Sequence, residues 1–210
     1  QADYSPTSEF YVHSFLYAKR FYSDIYKQGF HFDHKWCGVL LQSINEGKQV
    51  QHSNLILKAH WPDDLITLVD QTQASDIAGV DLPYGGLFIP QAGWLNPVQL
   101  THAIVDAADS LMPSTLNFNC DIEQIEKHKD GWLLHTKTRS YGPFSDVFIC
   151  SGEHSDKFQQ TKEVGIQGVR GQVSHIEPGK TSAKLNTVLC HKGYFTPAYK
   201  GTHCMGATFE

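Results

Sequence analysis

Apolar positions recur along this chain at two spacings, and the change from one to the other divides it. Tyr11, Phe15, Ala18, Tyr22, Ile25 and Tyr26 fall three and four residues apart, which predicts a helix over 8–28 with Ser8 as N-cap and Gly29 as its stop. Leu100, Ala103, Ile104, Ala107 and Ala108 repeat the pattern over 97–110. Asn96 can cap that helix, Pro97 suits its first position, and Gln99 can complete a capping box. Two shorter helices are expected at 51–60 and 62–72, the second opened by Pro62 with Asp63 and Asp64 in its first turn. Residues 30–42 read as extended, with Val39-Leu40-Leu41 a buried strand, and 74–95 as strands and turns around Gly79, Pro83 and Gly85-Gly86.

From Thr115 onward the spacing shortens. Residues 115–118, 122–127, 132–136 and 147–150 cluster like strands. Asp130-Gly131 and Ser140-Tyr141-Gly142-Pro143 separate them into an antiparallel meander. A polar connection at 155–165 precedes strand signals at 172–176, 187–189, 194–196 and 203–209. Strands joined by short polar turns predict a mixed α/β (α+β) fold, an antiparallel-rich sheet flanked by the helices, rather than regular βαβ units.

Composition narrows the function classes. A chain of 210 residues, 40% apolar and 19% charged, is globular and can fill one large or two small domains. Its net charge of −5 and lack of a basic run give it no nucleic-acid footprint of its own. Five cysteines without C-x-x-C spacing make neither a disulfide framework nor a zinc site, and a reducing, cytoplasmic setting is expected. No apolar run reaches the roughly 18–20 residues of a membrane span. There is no signal peptide pattern at Gln1-Ala2-Asp3-Tyr4 and no initiator Met, so the chain reads as the middle of a longer protein.

Self-contained catalytic motifs are missing. Gly165-Ile166-Gln167-Gly168-Val169-Arg170-Gly171 has the wrong spacing for a dinucleotide loop and leads into a strand. No Walker A loop or Gly-x-Ser-x-Gly elbow occurs. In His31-Phe32-Asp33-His34, an extended backbone puts His31 and Asp33 on one face and His34 on the other, so no metal site converges.

Several blocks nonetheless stand in a familiar order. Residues 85–100, with Gly85-Gly86, Pro90, Gly93-Trp94, Pro97 and Leu100, resemble the turn and helix near the flavin in oxidases of the glycine oxidase type. Phe32-Asp33-His34-Lys35-Trp36-Cys37-Gly38, Gly171-Gln172-Val173-Ser174-His175-Ile176, Gly193-Tyr194-Phe195-Thr196-Pro197 and His203-Cys204-Met205-Gly206-Ala207 follow. Together they resemble the FAD-dependent oxidase half of the bacterial bifunctional enzymes that complete 5-methylaminomethyl-2-thiouridine in tRNA.

That resemblance implies an oxidase that removes the carboxymethyl group from 5-carboxymethylaminomethyl(-2-thio)uridine at the wobble position of a tRNA partner. It also implies a linked methyltransferase half using S-adenosylmethionine. It divides the chain into substrate-domain parts at 1–114 and 156–210 and a returning segment of the FAD-binding domain at 115–155. The Rossmann start would lie upstream of Gln1 and the last third beyond Glu210. Residue by residue, Ile122 matches the position whose backbone brackets the adenine, and Ser151-Gly152 a strand end close to the ribose and pyrophosphate. Tyr194 matches a phenol aimed at the substrate carboxylate. The resemblance implies no catalytic side chain and no metal, and the chain alone is expected to hold no FAD and to be inactive. A glycine or sarcosine oxidase acting on free substrates, and a non-catalytic binding domain, remain the alternatives.

Overall fold

The computed structural model describes residues 5–59 and 61–208. It divides into two compact units, 1–113 with 171–209, and 114–170. Residues 156–170 thus pack with 114–155.

The first unit opens on α1 (Pro6–Lys27), capped by Ser5, whose hydroxyl accepts from the Ser8 N–H at 3.2 Å. The cap is therefore Ser5 and not Ser8, because Pro6, lacking an N–H, fits the first turn. The short strand β1 (His34–Lys35) and β2 (Val39–Gln42) follow, then α2 (Glu46–Ala59). The helix expected over 62–72 is absent. Pro62 instead closes a turn, with the Leu65 and Ile66 N–H groups donating to its carbonyl. Thr67–Val69 then forms β3, where the β-branched Thr67 and Val69 suit a pleated strand.

Asp70 ends β3 and starts α3 (Gln71–Ala78) through a full capping box with Gln73, and Gly79 closes the helix at φ +73°. Asp70 lay within the helix expected over 62–72, and Gly79 in the stretch read as strands and turns, so the helix starts eight residues later than Pro62 suggested. Next come β4 (Gly86–Ile89), β5 (Trp94–Leu95) and α4 (Pro97–Leu111). Asn96 caps α4 as expected. The Gln99 side chain does not complete the box; it reaches Asp33 instead. Strands β4 and β5 do not pair with each other: β5 joins β1, and β4 lies between β3 and β2.

The second unit is the expected meander, β6 (Gln124–His128), β7 (Gly131–His135) and β8 (Ser140–Phe144), all antiparallel. Residues 140–143 form strand β8 rather than a separator; the turn is at 136–139, where Thr136 and Arg139 bond each other. Residues 115–118 and 147–150 join no ladder among the described residues. At 147–150, expected to be a buried strand, Phe148 is 89% exposed and the segment joins no ladder among the described residues.

Strands β9 (Ser174–Ile176), β10 (Val188–Cys190), β11 (Tyr194–Phe195) and β12 (His203–Gly206) return to the first unit. They complete a seven-stranded sheet in the order β3-β4-β2-β10-β11-β12-β9. Only β2 and β10 run parallel; the other pairs are antiparallel, as the mixed, antiparallel-rich expectation required. Leu40, Val69 and Leu185 with Ala74 and Ala78 of α3 make the core on one sheet face. A second core joins α1 to α4 through Ile25, Phe32, Leu100 and Ala103.

Candidate functional site

Register decides what surrounds Tyr194. Its Cα stands opposite Cys190 on β10 and Gly206 on β12. Side chains alternate along a strand, so Tyr194 shares a face with Cys190, Gly206 and Cys204, while Phe195 enters the core on the other. The hydroxyl lies 3.8 Å from the Cys204 sulfur. Gly206 gives it room: a Cβ there would stand 3.3 Å from the phenol oxygen and 3.0 Å from Val173. Burial, then the Cys204 contact, pushes the phenol pKa up. It therefore stays a protonated hydrogen-bond donor at neutral pH. An open cleft of about 580 Å³ borders Tyr194 and is also lined by Gln42, Ser174, His191 and Met205. The Gln42 amide nitrogen is buried there without a hydrogen-bond partner.

The tip of the β11–β12 hairpin is tied to a distant carboxylate. Asp33 accepts from the Tyr199 hydroxyl at 2.7 Å, Lys200 Nζ at 2.7 Å and Gln99 Nε2 at 3.0 Å. Its backbone N–H donates to Gln99 Oε1 at 2.6 Å and its carbonyl accepts from Asn96 N–H at 2.8 Å. Lys200, Tyr199 and Gln99, in that order, hold the Asp33 pKa at about 2. No local signal could have revealed this hub, since its partners stand 66, 166 and 167 residues away.

Elsewhere in the same unit two histidines are buried and satisfied. Ser43 and His52 share a 3.0 Å hydrogen bond, and burial lowers the His52 pKa. His203, isolated in the sequence, bonds the Thr196 carbonyl at 2.7 Å and the Ser182 hydroxyl at 3.0 Å. The five cysteines are free. No group of three or more potential metal ligands occurs among the described residues, and none of the described helices is long and apolar enough to cross a membrane.

In the second unit, Ile122 and Ser151 line one cleft of about 420 Å³ together with Asp121, Val147, Lys157 and Phe158. Ile122 sits just ahead of β6, outside its ladder. Ser151 Oγ is 3.2 Å from Ser155 Oγ. Gly152 takes φ +58°, a left-handed value that favours glycine, and a Cβ there would meet nothing within 4 Å. Its backbone is exposed to solvent beside Ser151. Lys157 Nζ bonds Asp121 at 2.7 Å, and that contact lowers the Asp121 pKa.

The antiparallel-rich sheet and the meander are placed by comparison with known families. Residues 1–210 match the FAD dependent oxidoreductase (DAO) family, and the chain belongs to it. The tRNA 5-methylaminomethyl-2-thiouridine biosynthesis bifunctional protein MnmC of Pseudoalteromonas translucida is 53% identical, over 100% of this chain and 31% of that protein. The protein of the same description from Pseudoalteromonas atlantica is 34% identical, over 99% of this chain and 32% of its own length. The chain thus spans about a third of these relatives. Among solved structures, glycine oxidase from Geobacillus kaustophilus superposes with a TM-score of 0.79 at 18% identity, covering 99% of this chain and 57% of that one. Glycine oxidase from Bacillus cereus gives 0.82 at 16% identity, with 99% and 58% covered. These two establish the fold.

Proposed function

We propose that this chain is part of an FAD-dependent oxidase that removes the carboxymethyl group from 5-carboxymethylaminomethyl(-2-thio)uridine at the tRNA wobble position. The observation that carries the reading is 53% identity over the whole chain to an enzyme named for this tRNA modification. The partner is tRNA, the setting cytoplasmic, and a linked methyltransferase using S-adenosylmethionine belongs to the full-length protein.

The residues of the second unit fit a dinucleotide. Its cleft has an apolar floor of Val147, Ile122 and Phe158 for a purine. The bare Gly152 backbone admits close approach, and the Ser151 hydroxyl can donate to a ribose or phosphate oxygen. When bound, FAD supplies the two-electron acceptor for C–N oxidation. What this chain contributes is binding and orientation. Tyr194, kept protonated, donates to the carboxylate of the glycine-like substituent and fixes the carbon to be oxidised. No side-chain nucleophile is needed, so the reading leaves the catalytic role to orientation.

The test is oxidation of tRNA carrying the carboxymethylaminomethyl group by the full-length protein, with nucleosides identified by mass spectrometry. Appearance of the aminomethyl nucleoside supports the reading. Consumption of free glycine or sarcosine with the tRNA untouched would replace it with the amino-acid oxidase alternative. The chain alone is proposed to hold no FAD, so its spectrum should lack the flavin band near ~450 nm.

A further inference from the structure

The β11–β12 hairpin turns through two residues, Lys200 and Gly201, with the Tyr199 N–H donating to the Thr202 carbonyl at 2.8 Å and the Thr202 N–H returning to Tyr199 at 3.1 Å. Both central residues have positive φ, +50° at Lys200 and +83° at Gly201. Such a turn favours asparagine or aspartate followed by glycine, and an unbranched cation gains nothing locally from the left-handed region. Strain of this kind persists where surrounding contacts hold it. Here the contact is the ammonium on Asp33 at 2.7 Å. The neighbouring Tyr199 adds its hydroxyl to the same carboxylate, and its ring lies 4.8 Å from Trp94.

The other end of that hairpin carries Tyr194. The two strands between tip and phenol are short, and the Cys204 N–H is met by the Thr196 hydroxyl at 2.9 Å. Pairing with β10 and β9 fixes the register of β11 and β12 within the sheet, whereas the tip between Phe195 and His203 lies beyond those ladders. The tip is fixed, from outside the sheet, by one residue that is itself gripped at side chain, N–H and carbonyl.

We infer that Asp33 is a positioning residue for substrate: with Lys200 and Tyr199 it latches the β11–β12 hairpin and so holds the Tyr194 hydroxyl over Gly206. This rests on the substrate-binding role proposed for Tyr194. The latch acts through the hairpin and touches neither substrate nor cofactor. Lys200, Tyr199 and Gln99 hold the carboxylate pKa at about 2, so Asp33 is ionised at neutral pH.

Two measurements test it. In the full-length protein, Asp33→Asn and Lys200→Gln should speed amide exchange across 196–204 by about tenfold or more while exchange in β2 and β4 stays unchanged. Lys200→Arg should restore the slow rate. In the full-length oxidase the same two variants should raise KM about tenfold with kcat and FAD content little altered. Unchanged hairpin exchange, or unchanged KM in a folded Lys200→Gln protein, overturns the latch. Tyr194→Phe separates the two readings: if it raises KM while Asp33→Asn and Lys200→Gln do not, only the latch fails. If Tyr194→Phe leaves KM unchanged, the role of Tyr194 fails with it. Should Asp33→Asn not fold, the exposed Lys200→Gln carries the decision.

Discussion

The two units spend their apolar residues differently. In the first, Leu40, Ala74 and Ala78 have no exposed surface, and Leu87 and Val188 are nearly as deep. In the second, Ile125 and Phe158 are the buried apolar side chains among the described residues, whereas Phe118 is 77% exposed and Leu116, Val164 and Val169 also face solvent. Within this chain the seven-stranded sheet with a helix on its face encloses a core, while the three strands of the meander bury little among themselves, and the chain spans about a third of the relatives it matches. The contrast shows that apolar patterning marks the face of a strand but does not supply its ladder. Residues 115–118 and 147–150 have the wording of strands and no partner edge among the described residues.

If that contrast is right, Leu40→Ala should destabilise the first unit by about 2–5 kcal/mol, since a fully buried leucine leaves a cavity behind. Denaturant unfolding followed in the first unit measures it, and a loss well below that range would mean its core is looser than the packing implies. The functional division between units can be sharpened in the full-length oxidase. Tyr194→Phe removes the hydroxyl proposed to bond the substrate carboxylate, a contact that would be worth about 1.5–3 kcal/mol, or 10- to 100-fold in kcat/KM. FAD content should not change. Gly152→Ala should do the reverse, lowering FAD occupancy because its φ of +58° penalises any Cβ. Loss of FAD from the Tyr194 variant would overturn the substrate-binding role proposed for Tyr194.

A smaller effect follows from His52. Burial lowers its folded pKa below the unfolded value near 6.5. The unfolded chain therefore binds the extra proton as pH falls through that value, and stability of the first unit is lost toward its folded pKa. The slope should not exceed about 1.4 kcal/mol per pH unit, and His52→Gln should remove it. A pH-independent melt between 5 and 7 (about the span of that titration) would put the imidazole in solvent. At the bottom of the range, Phe148→Ser should change stability by less than about 0.5 kcal/mol, because the ring is 89% exposed. A cost comparable to that of Leu40→Ala would erase the distinction between the units.

The local parts of the fold were legible in the sequence because their causes are local. Asn96-Pro97 starts α4, the 3.6-residue stripe makes α1, and Asp130-Gly131 turns the meander. The failure at 62–78 was one of competing local signals, where Pro62 and two acids suggested a helix start that the Asp70 capping box supplied eight residues later. Candidate site residues came from wording shared with a family, not from their own chemistry, since a lone tyrosine, isoleucine or serine carries no spacing.

What the sequence determined alone was α1, α4, the β6–β7 hairpin and the mixed, antiparallel-rich fold class. Tertiary structure alone decided that β2 pairs parallel to β10, that Gln99 leaves its helix cap for Asp33, and that Tyr199 and Lys200 meet the same carboxylate. Helix caps and turns depend on neighbours within four residues, which a sequence displays directly. A hydrogen bond across 167 residues depends on the register of every strand between, and register is fixed only when the whole core closes.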